Sequence, residues 1–175
     1  NDRRGGTSAA RTTAPTELIW KFAFPDGVRS SPVLHDGVVY VTCRDGRAYA
    51  LDSRSGKERW RFQAAAAIHS TPSVAGNLLL FGCDDGAVHA VDYTSGRLAW
   101  KWEGEGEIWA SPIVAGGDVF IGSSHGSFKA SDRRSGHARW TRRMAGQIHW
   151  TAYAAGRLVY VGYSDGKVYA LESAS

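Results

Sequence analysis

Cysteine, long apolar runs and charge of one sign are all scarce in this 175-residue sequence. Its 2 cysteines are too few for a disulfide-dense scaffold or for a zinc site built from four cysteines. No apolar run approaches the roughly 20 residues that a transmembrane helix needs, so we expect no membrane insertion of this segment. The formal charge of +4 is a mild excess, and the basic residues are not interleaved with stacking aromatics, so we expect no nucleic-acid partner.

What the sequence does contain is a four-fold internal repeat. Trp20 and Trp60 lie 40 residues apart, and the same interval leads on to Trp100 and Trp140. Four further features recur at this interval: a Ser/Thr-Pro step, an Asp-Gly turn, an alanine two residues before an acid, and a Ser-Gly pair. Some of these are degraded in one copy, such as Thr151-Ala152 in place of Ser/Thr-Pro. Self-similarity at a fixed period is the signature of a repeat architecture.

Each copy predicts four short strands joined by turns. In the second copy, the unbroken apolar run Leu78–Phe81 suits a strand that is covered on both faces. The other predicted strands of this copy are Thr71–Val74, Val88–Val91 and Leu98–Trp102. A repeated four-stranded unit of about 40 residues is typical of a propeller blade. We therefore predict an all-β fold, a β-propeller built of four four-stranded blades.

The spacing Ala-x-Asp-x-x-Ser-Gly-x-x-x-Trp occurs intact three times, at residues 50–60, 90–100 and 130–140. It resembles the tryptophan-docking motif of the quinoprotein-type, or PQQ-like, β-propeller repeat family, and the resemblance covers residues 18–175. That family usually has threonine where this sequence has serine. In the family, the tryptophan of one blade stacks on a segment of a neighbouring blade that the aspartate ties down. The resemblance therefore implies structural docking roles for Trp20, Trp60, Trp100, Trp140, Asp52, Asp92 and Asp132.

The two ends of the repeat predict how the ring closes. Trp20 lies on what would be the fourth strand of a blade, whereas Ala170 to Glu172 lie on a third strand. Pairing Leu18–Phe22 with Val168–Glu172 would remove two open sheet edges. Within one chain this pairing gives a four-bladed ring, and between two chains it gives an eight-bladed homodimer. A piece cut from a longer propeller is the third interpretation, and the steep angle between the blades of a four-bladed ring favours the dimer.

One position in each copy varies although its flanks repeat. It is occupied by Arg29, His69, Trp109 and His149, which we expect to line the central channel. Such a ring of side chains could hold an anion, an aromatic ligand or a metal ion. The same side chains would equally serve as the polar lining of a water-filled channel. They are therefore candidate ligand-binding residues for a small ligand.

No catalytic motif accompanies the repeat. The sequence has no glycine-rich phosphate loop, no His-Glu-x-x-His and no Gly-x-Ser-x-Gly element. The family that the sequence resembles includes quinoprotein dehydrogenases. These enzymes are longer and need a cofactor cage, a calcium site and, in many members, a disulfide between adjacent cysteines. We therefore predict no enzymatic activity, no catalytic residues, no cofactor and no metal site.

Residues 1–17 are rich in Gly, Ser, Thr and Ala, which predicts a flexible tail or linker before the propeller repeats of residues 18–175. The start at Asn1 suggests a mature form or an excised piece. The resemblance implies a protein-interaction scaffold or ligand-sensing domain of a larger extracytoplasmic or sensor-kinase-type protein, which binds a protein partner or a second copy of itself. Two alternatives stay open. One is a quinone- or metal-binding quinoprotein-type domain, and the other is an engineered or excised repeat array without a specific partner.

Overall fold

The computed structural model describes residues 17–174, and every regular element in that range is a β-strand. The strands in chain order are β1 Val33–His35, β2 Val38–Thr42, β3 Arg47–Asp52, β4 Glu58–Gln63, β5 Ser73–Ala75, β6 Leu78–Gly82, β7 Ala87–Asp92, β8 Leu98–Glu103, β9 Ile113–Ala115, β10 Asp118–Gly122, β11 Ser127–Asp132, β12 Ala138–Arg143, β13 Tyr153–Ala155, β14 Leu158–Gly162 and β15 Val168–Glu172.

These strands form four antiparallel sheets in which each strand pairs with the next one along the chain. We call the sheets blades one to four: β1–β4, β5–β8, β9–β12 and β13–β15. The first three have four strands and the last has three. The prediction of an all-β propeller with four repeated blades is confirmed, and the fourth blade lacks an outer strand within the described residues.

The local sequence explains the strand boundaries in blade two. All five residues of β6 are buried, as the apolar run predicts, whereas β8 alternates between exposed and half-buried positions because it is the outer strand. The first strand begins at Ser73 rather than at the predicted Thr71. Pro72 has no backbone N–H to donate to a ladder, so pairing begins after it.

Apolar layers hold neighbouring blades together. Tyr40 and Ala48 of blade one pack against Leu79 and Phe81 of blade two, and all four side chains are fully buried. Equivalent clusters join blade two to blade three and blade three to blade four. Because each blade buries its faces only against its neighbours, the stability of the whole depends on this stacking.

The segment before β1 packs on the face of blade one without forming a strand. The rings of Phe22 and Phe24 lie 5.8 and 5.1 Å from that of Tyr49. In the described range β15 pairs only with β14, so the structure contains no pairing of Leu18–Phe22 with Val168–Glu172 within the chain. Ring closure, within one chain or between two, stays a prediction. Residues 1–16 of the predicted tail lie outside the described range.

Candidate functional site

The repeated tryptophans lie at the junctions between blades. The Trp60 indole of blade one lies flat against Gly96 of blade two, and its Nε1 donates a hydrogen bond of 3.0 Å to the carbonyl of Tyr93. A Cβ on Gly96 would lie only 2.6 Å from Trp60 Cε3, so only glycine permits this approach. Trp20 and Trp100 make the same pair of contacts one blade earlier and one blade later.

The aspartates of the repeat hold the turn on which the indole rests. Asp92 Oδ1 accepts hydrogen bonds from Ser95 N and Ser95 Oγ at 2.9 and 2.8 Å. Asp52 and Asp132 bind their own turns in the same way. The Arg59 guanidinium and the turn donors hold the pKa of the Asp52 carboxyl far below its ordinary value. Each carboxylate therefore fixes the geometry of one docking turn.

The fourth copy makes the same hydrogen bond: Trp140 Nε1 donates to the carbonyl of Ser173 at 3.2 Å. A cleft of about 300 Å³ opens beside this contact and is lined by Trp140, Arg142, Ala170, Leu171 and Glu172.

Three of the four predicted channel residues have polar or aromatic partners. His69 Nε2 lies 3.2 Å from Asp84 Oδ2. The ring of Trp109 meets that of His149 edge-on at 4.9 Å, and His149 also contacts Gln147 Oε1 at 2.7 Å. Arg29 is exposed. The structure thus brings Trp109 and His149 together and gives His69 a carboxylate partner, and the ligand-binding role of the four residues stays a prediction.

Acidic residues that the sequence did not single out lie beside these positions. Burial raises the pKa of Asp84, and the neighbouring charge of His69 opposes that shift. Asp84 also lines a cleft of about 280 Å³ with Asp85, Gly86, Gly106, Glu107 and His125. The sequence signal for these acidic residues was the segment Asp84-Asp85-Gly86, which we interpreted only as a hairpin turn.

These residues do not fit the anionic quinone cofactor of the quinoprotein dehydrogenases. The carboxylates of Asp84 and Glu107 line the cleft and would repel an anionic ligand there. The two cysteines, Cys43 and Cys83, are both free and buried and lie on different blades, so they cannot form an adjacent-cysteine disulfide. We derive no chemistry through a quinone.

No residue in the described range 17–174 covers the face of blade four that points away from blade three. Val168 is 73% exposed, whereas its counterparts Ala48 and Val88 are 0 and 2% exposed. Tyr160 is also exposed, although Tyr40, at the same position of blade one, is fully buried. This surface, which we call the open face, is the face that in blades one to three receives the next blade.

The comparisons with known proteins agree with this fold. The family model described as outer membrane protein assembly factor BamB, of the PQQ-like class, matches residues 3–175. No curated protein matches the chain. The crystal structure of BamB from Moraxella catarrhalis is 22% identical with a TM-score of 0.79, and the match covers 90% of this chain and 53% of that one.

Two further structures illustrate the range of relatives. The computationally designed Ika4 protein is 17% identical with a TM-score of 0.81, and the match covers 91% of this chain and 99% of Ika4. Quinohemoprotein alcohol dehydrogenase from Comamonas testosteroni is 19% identical with a TM-score of 0.71, over 79% of this chain and 29% of the enzyme. At these identities the likeness shows the fold alone. The chain spans about half the length of the BamB structure.

The part of the chain that the structure describes has no helix with the length and apolar character to cross a bilayer.

Proposed function

We propose a function from the premise that this chain belongs to the PQQ-like β-propeller family described as outer membrane protein assembly factor BamB. In this proposal the chain is a non-enzymatic, extracytoplasmic scaffold that binds protein through its propeller faces. The observation that carries the proposal is the open face of blade four. In the proposal, a second copy of the chain occupies this face.

The open face matches a surface that the chain itself presents on blade one. Leu34 is 66% exposed on blade one, whereas its counterpart Val74 of blade two packs into the layer between blades one and two. In that layer Val74 packs against the face of blade one that carries Tyr40. On blade four, Tyr160 occupies the position of Tyr40. Blade four of one copy can therefore pack on blade one of another by the contacts that already join blades one and two.

The segment around Trp20 supports the same interface. In the complete junctions, the strand that carries the docking tryptophan also pairs with the third strand of its blade. Trp20 makes the docking contact on blade one, yet Leu18–Phe22 pairs with no third strand among residues 17–174. The free edge of β15 in a second copy is the strand that it lacks. Such pairing would cover two exposed sheet edges at once.

Light scattering of the purified 175-residue chain tests this proposal. The chain has a mass of 18.9 kDa, and we expect twice that mass in solution. Val168→Arg places a charge on the open face and should give the monomer mass. The matched control is Leu98→Arg, which places the same charge on an exposed apolar residue of the outer strand β8. It should leave the mass unchanged.

A monomeric wild-type chain would overturn the second copy as the occupant and would leave the open face to another protein or to further residues of a longer chain. Loss of the dimer in both arginine variants would overturn the assignment of the interface to blade four.

The cysteines support the non-enzymatic part of the proposal. Burial raises the pKa of the Cys83 thiol to about 11 and raises that of Cys43 as well. Both thiols are therefore protonated at neutral pH and are poor nucleophiles.

A further inference from the structure

Three side chains of blade two that can bind metal ions converge at one end of the hairpin between β6 and β7. Cys83 directly follows β6, Asp85 lies in the turn, and His89 is on β7. One ligand atom from each, the Cys83 sulfur, an Asp85 oxygen and a His89 ring nitrogen, all lie within 4.8 Å of one another. The spacing Cys-x-Asp-x-x-x-His thus becomes a compact group of sulfur, oxygen and nitrogen.

Part of the hydrogen-bonding capacity of this group is unused, although Asp85 Oδ1 accepts a hydrogen bond of 2.9 Å from Ala87 N. His89 is 3% exposed, and among residues 17–174 neither Nδ1 nor Nε2 has a hydrogen-bond partner. Asp85 Oδ2 is also buried without a hydrogen bond and lies 3.6 Å from His89 Nε2. Buried polar groups are rarely left unpaired because the loss of hydration is costly. An imidazole with two free nitrogens beside a carboxylate and a thiol is the arrangement that a metal ion would complete.

The other blades show that His89 is a departure from the repeat. In blade one Tyr49 occupies this position and donates its hydroxyl hydrogen bond to Asp45. In blade four Tyr169 donates to Asp165 Oδ2 at 2.8 Å. A tyrosine therefore satisfies the aspartate within the protein, whereas His89 leaves Asp85 without that bond. Blade three has serine, histidine and lysine at the three positions.

The surroundings fix the histidine ring and leave it able to bind metal. Phe81 stacks on the imidazole with a centroid distance of 5.4 Å and an interplanar angle of 14°, and Phe62 packs against it at 5.4 Å. Burial lowers the pKa of His89. The Cys83 thiol donates to the carbonyl of Ala66 at 3.4 Å, and its proton would pass to solvent when the sulfur binds metal.

We propose that Cys83, Asp85 and His89 bind one divalent ion of the zinc class, with a water as the fourth ligand. A thiolate and an imidazole favour zinc or cobalt over calcium or magnesium, which prefer oxygen ligands. Tetrahedral zinc holds its ligand atoms roughly 3.3–3.8 Å apart, so the three atoms, which lie within 4.8 Å of one another, need to approach by up to about 1.5 Å. We expected no metal site from the sequence, because spacing alone did not show that these side chains meet.

Asp85 also lines the cleft of about 280 Å³ together with Asp84 and Glu107, whose carboxylates attract cations to its vicinity. One competing cation is already present. Lys101 Nζ lies 3.5 Å from Asp85 Oδ2, but it also lies 3.2 Å from Glu103 Oε1 and can keep that partner when a metal binds.

Titration of the reduced, metal-free 175-residue chain with Co²⁺ tests this site. We expect one equivalent to bind with a near-ultraviolet thiolate-to-cobalt charge-transfer band, and one equivalent of Zn²⁺ to remove that band. Cys83→Ser and His89→Tyr should each weaken Zn²⁺ binding by more than roughly 100-fold. Lys101→Met should strengthen it, because a competing charge is removed.

The chain contains its own matched control. Cys43 occupies the position of Cys83 in blade one but faces Tyr49 instead of a histidine, so Cys43→Ser should leave Co²⁺ and Zn²⁺ binding unchanged. His89→Tyr installs the residue of blades one and four and is expected to keep the fold, which circular dichroism verifies.

A folded wild-type chain without the thiolate-to-cobalt band would overturn the site, as would binding that survives His89→Tyr or is lost in Cys43→Ser. The proposed dimer does not depend on metal. Failure of one proposal therefore leaves the other intact.

Discussion

At the scale of single residues, each complete blade junction depends on an indole that rests on a glycine. The turn glycine has a positive φ, such as +70° at Gly96, and faces the ring with no Cβ between them. Two separate requirements therefore meet at one residue. The backbone needs left-handed geometry, and the neighbouring blade needs the space that a side chain would occupy.

A substitution can separate these two requirements. Gly96→Ala should lower the free energy of unfolding by roughly 2–4 kcal/mol, from left-handed strain and from overpacking against Trp60. Gly116→Ala is the control, because Gly116 has a φ of +59° but nothing within 4 Å of its Cβ position. It should cost only about 1–2 kcal/mol. Urea unfolding of both variants measures the difference, and equal losses would show that the indole contact contributes nothing.

A buried lysine in blade three gives a prediction about pH. Lys129 Nζ lies 3.5 Å from the centre of the Trp102 ring, and burial lowers its pKa to about 8. In the unfolded chain the pKa of a lysine is about 10.4. Between these values the unfolded chain binds more protons than the folded chain, so the stability contributed by this residue rises with pH across that window. Burial of the charged Lys129 side chain therefore destabilises the folded chain to the full extent below pH 8.

Lys129→Met should therefore raise the free energy of unfolding by about 1 kcal/mol at pH 7 and lose most of that advantage near pH 10. Comparing wild type and variant at each pH removes the contributions of other titrating groups. Lys57→Met, at an exposed position, should change stability little at either pH. An advantage for Lys129→Met that persists or grows at pH 10 would contradict the assigned sign.

At the scale of strands, the sequence predicted those elements whose residues repeat a pattern within one blade. The run Leu78–Phe81 was predicted as a doubly covered strand and is buried throughout in β6. The missed boundary at Ser73 arises from the missing N–H of Pro72, a local effect that could have been foreseen. Pairing of Leu18–Phe22 could not be settled in this way, because its pattern is that of an outer strand whichever chain supplies the neighbour.

The candidate sites were less predictable for a related reason. His89 can be seen in the sequence as a change from tyrosine at a repeat position, but its two unpartnered nitrogens appear only in three dimensions. Likewise, the partner of His69 is Asp84, a residue of a hairpin turn rather than of the predicted channel strand. Residue identity at a repeat position follows from the sequence, whereas pairing across a junction depends on how the blades stack.

At the scale of the whole molecule, the structure is a four-bladed propeller in which, among residues 17–174, nothing covers the face of blade four that points away from blade three. Exposed apolar surface of this kind marks an interaction site. The contacts that join blades one and two would be reproduced between two copies, with Trp20 and β15 contributing one strand each to the junction. A ring of two chains would thus need no new kind of interface.

This arrangement ties thermal stability to protein concentration, because a dimer that unfolds to two chains is stabilised by mass action. A hundred-fold increase in concentration adds about 2.7 kcal/mol per dimer, which for two chains of this length should raise Tm by about 3–4 °C. Scanning calorimetry of the wild type and of Leu98→Arg should show this rise, and Val168→Arg should melt at one temperature throughout. A wild-type Tm that does not change with concentration would mean that the folded state carries no coupled dimer, and the open face would then need a different partner.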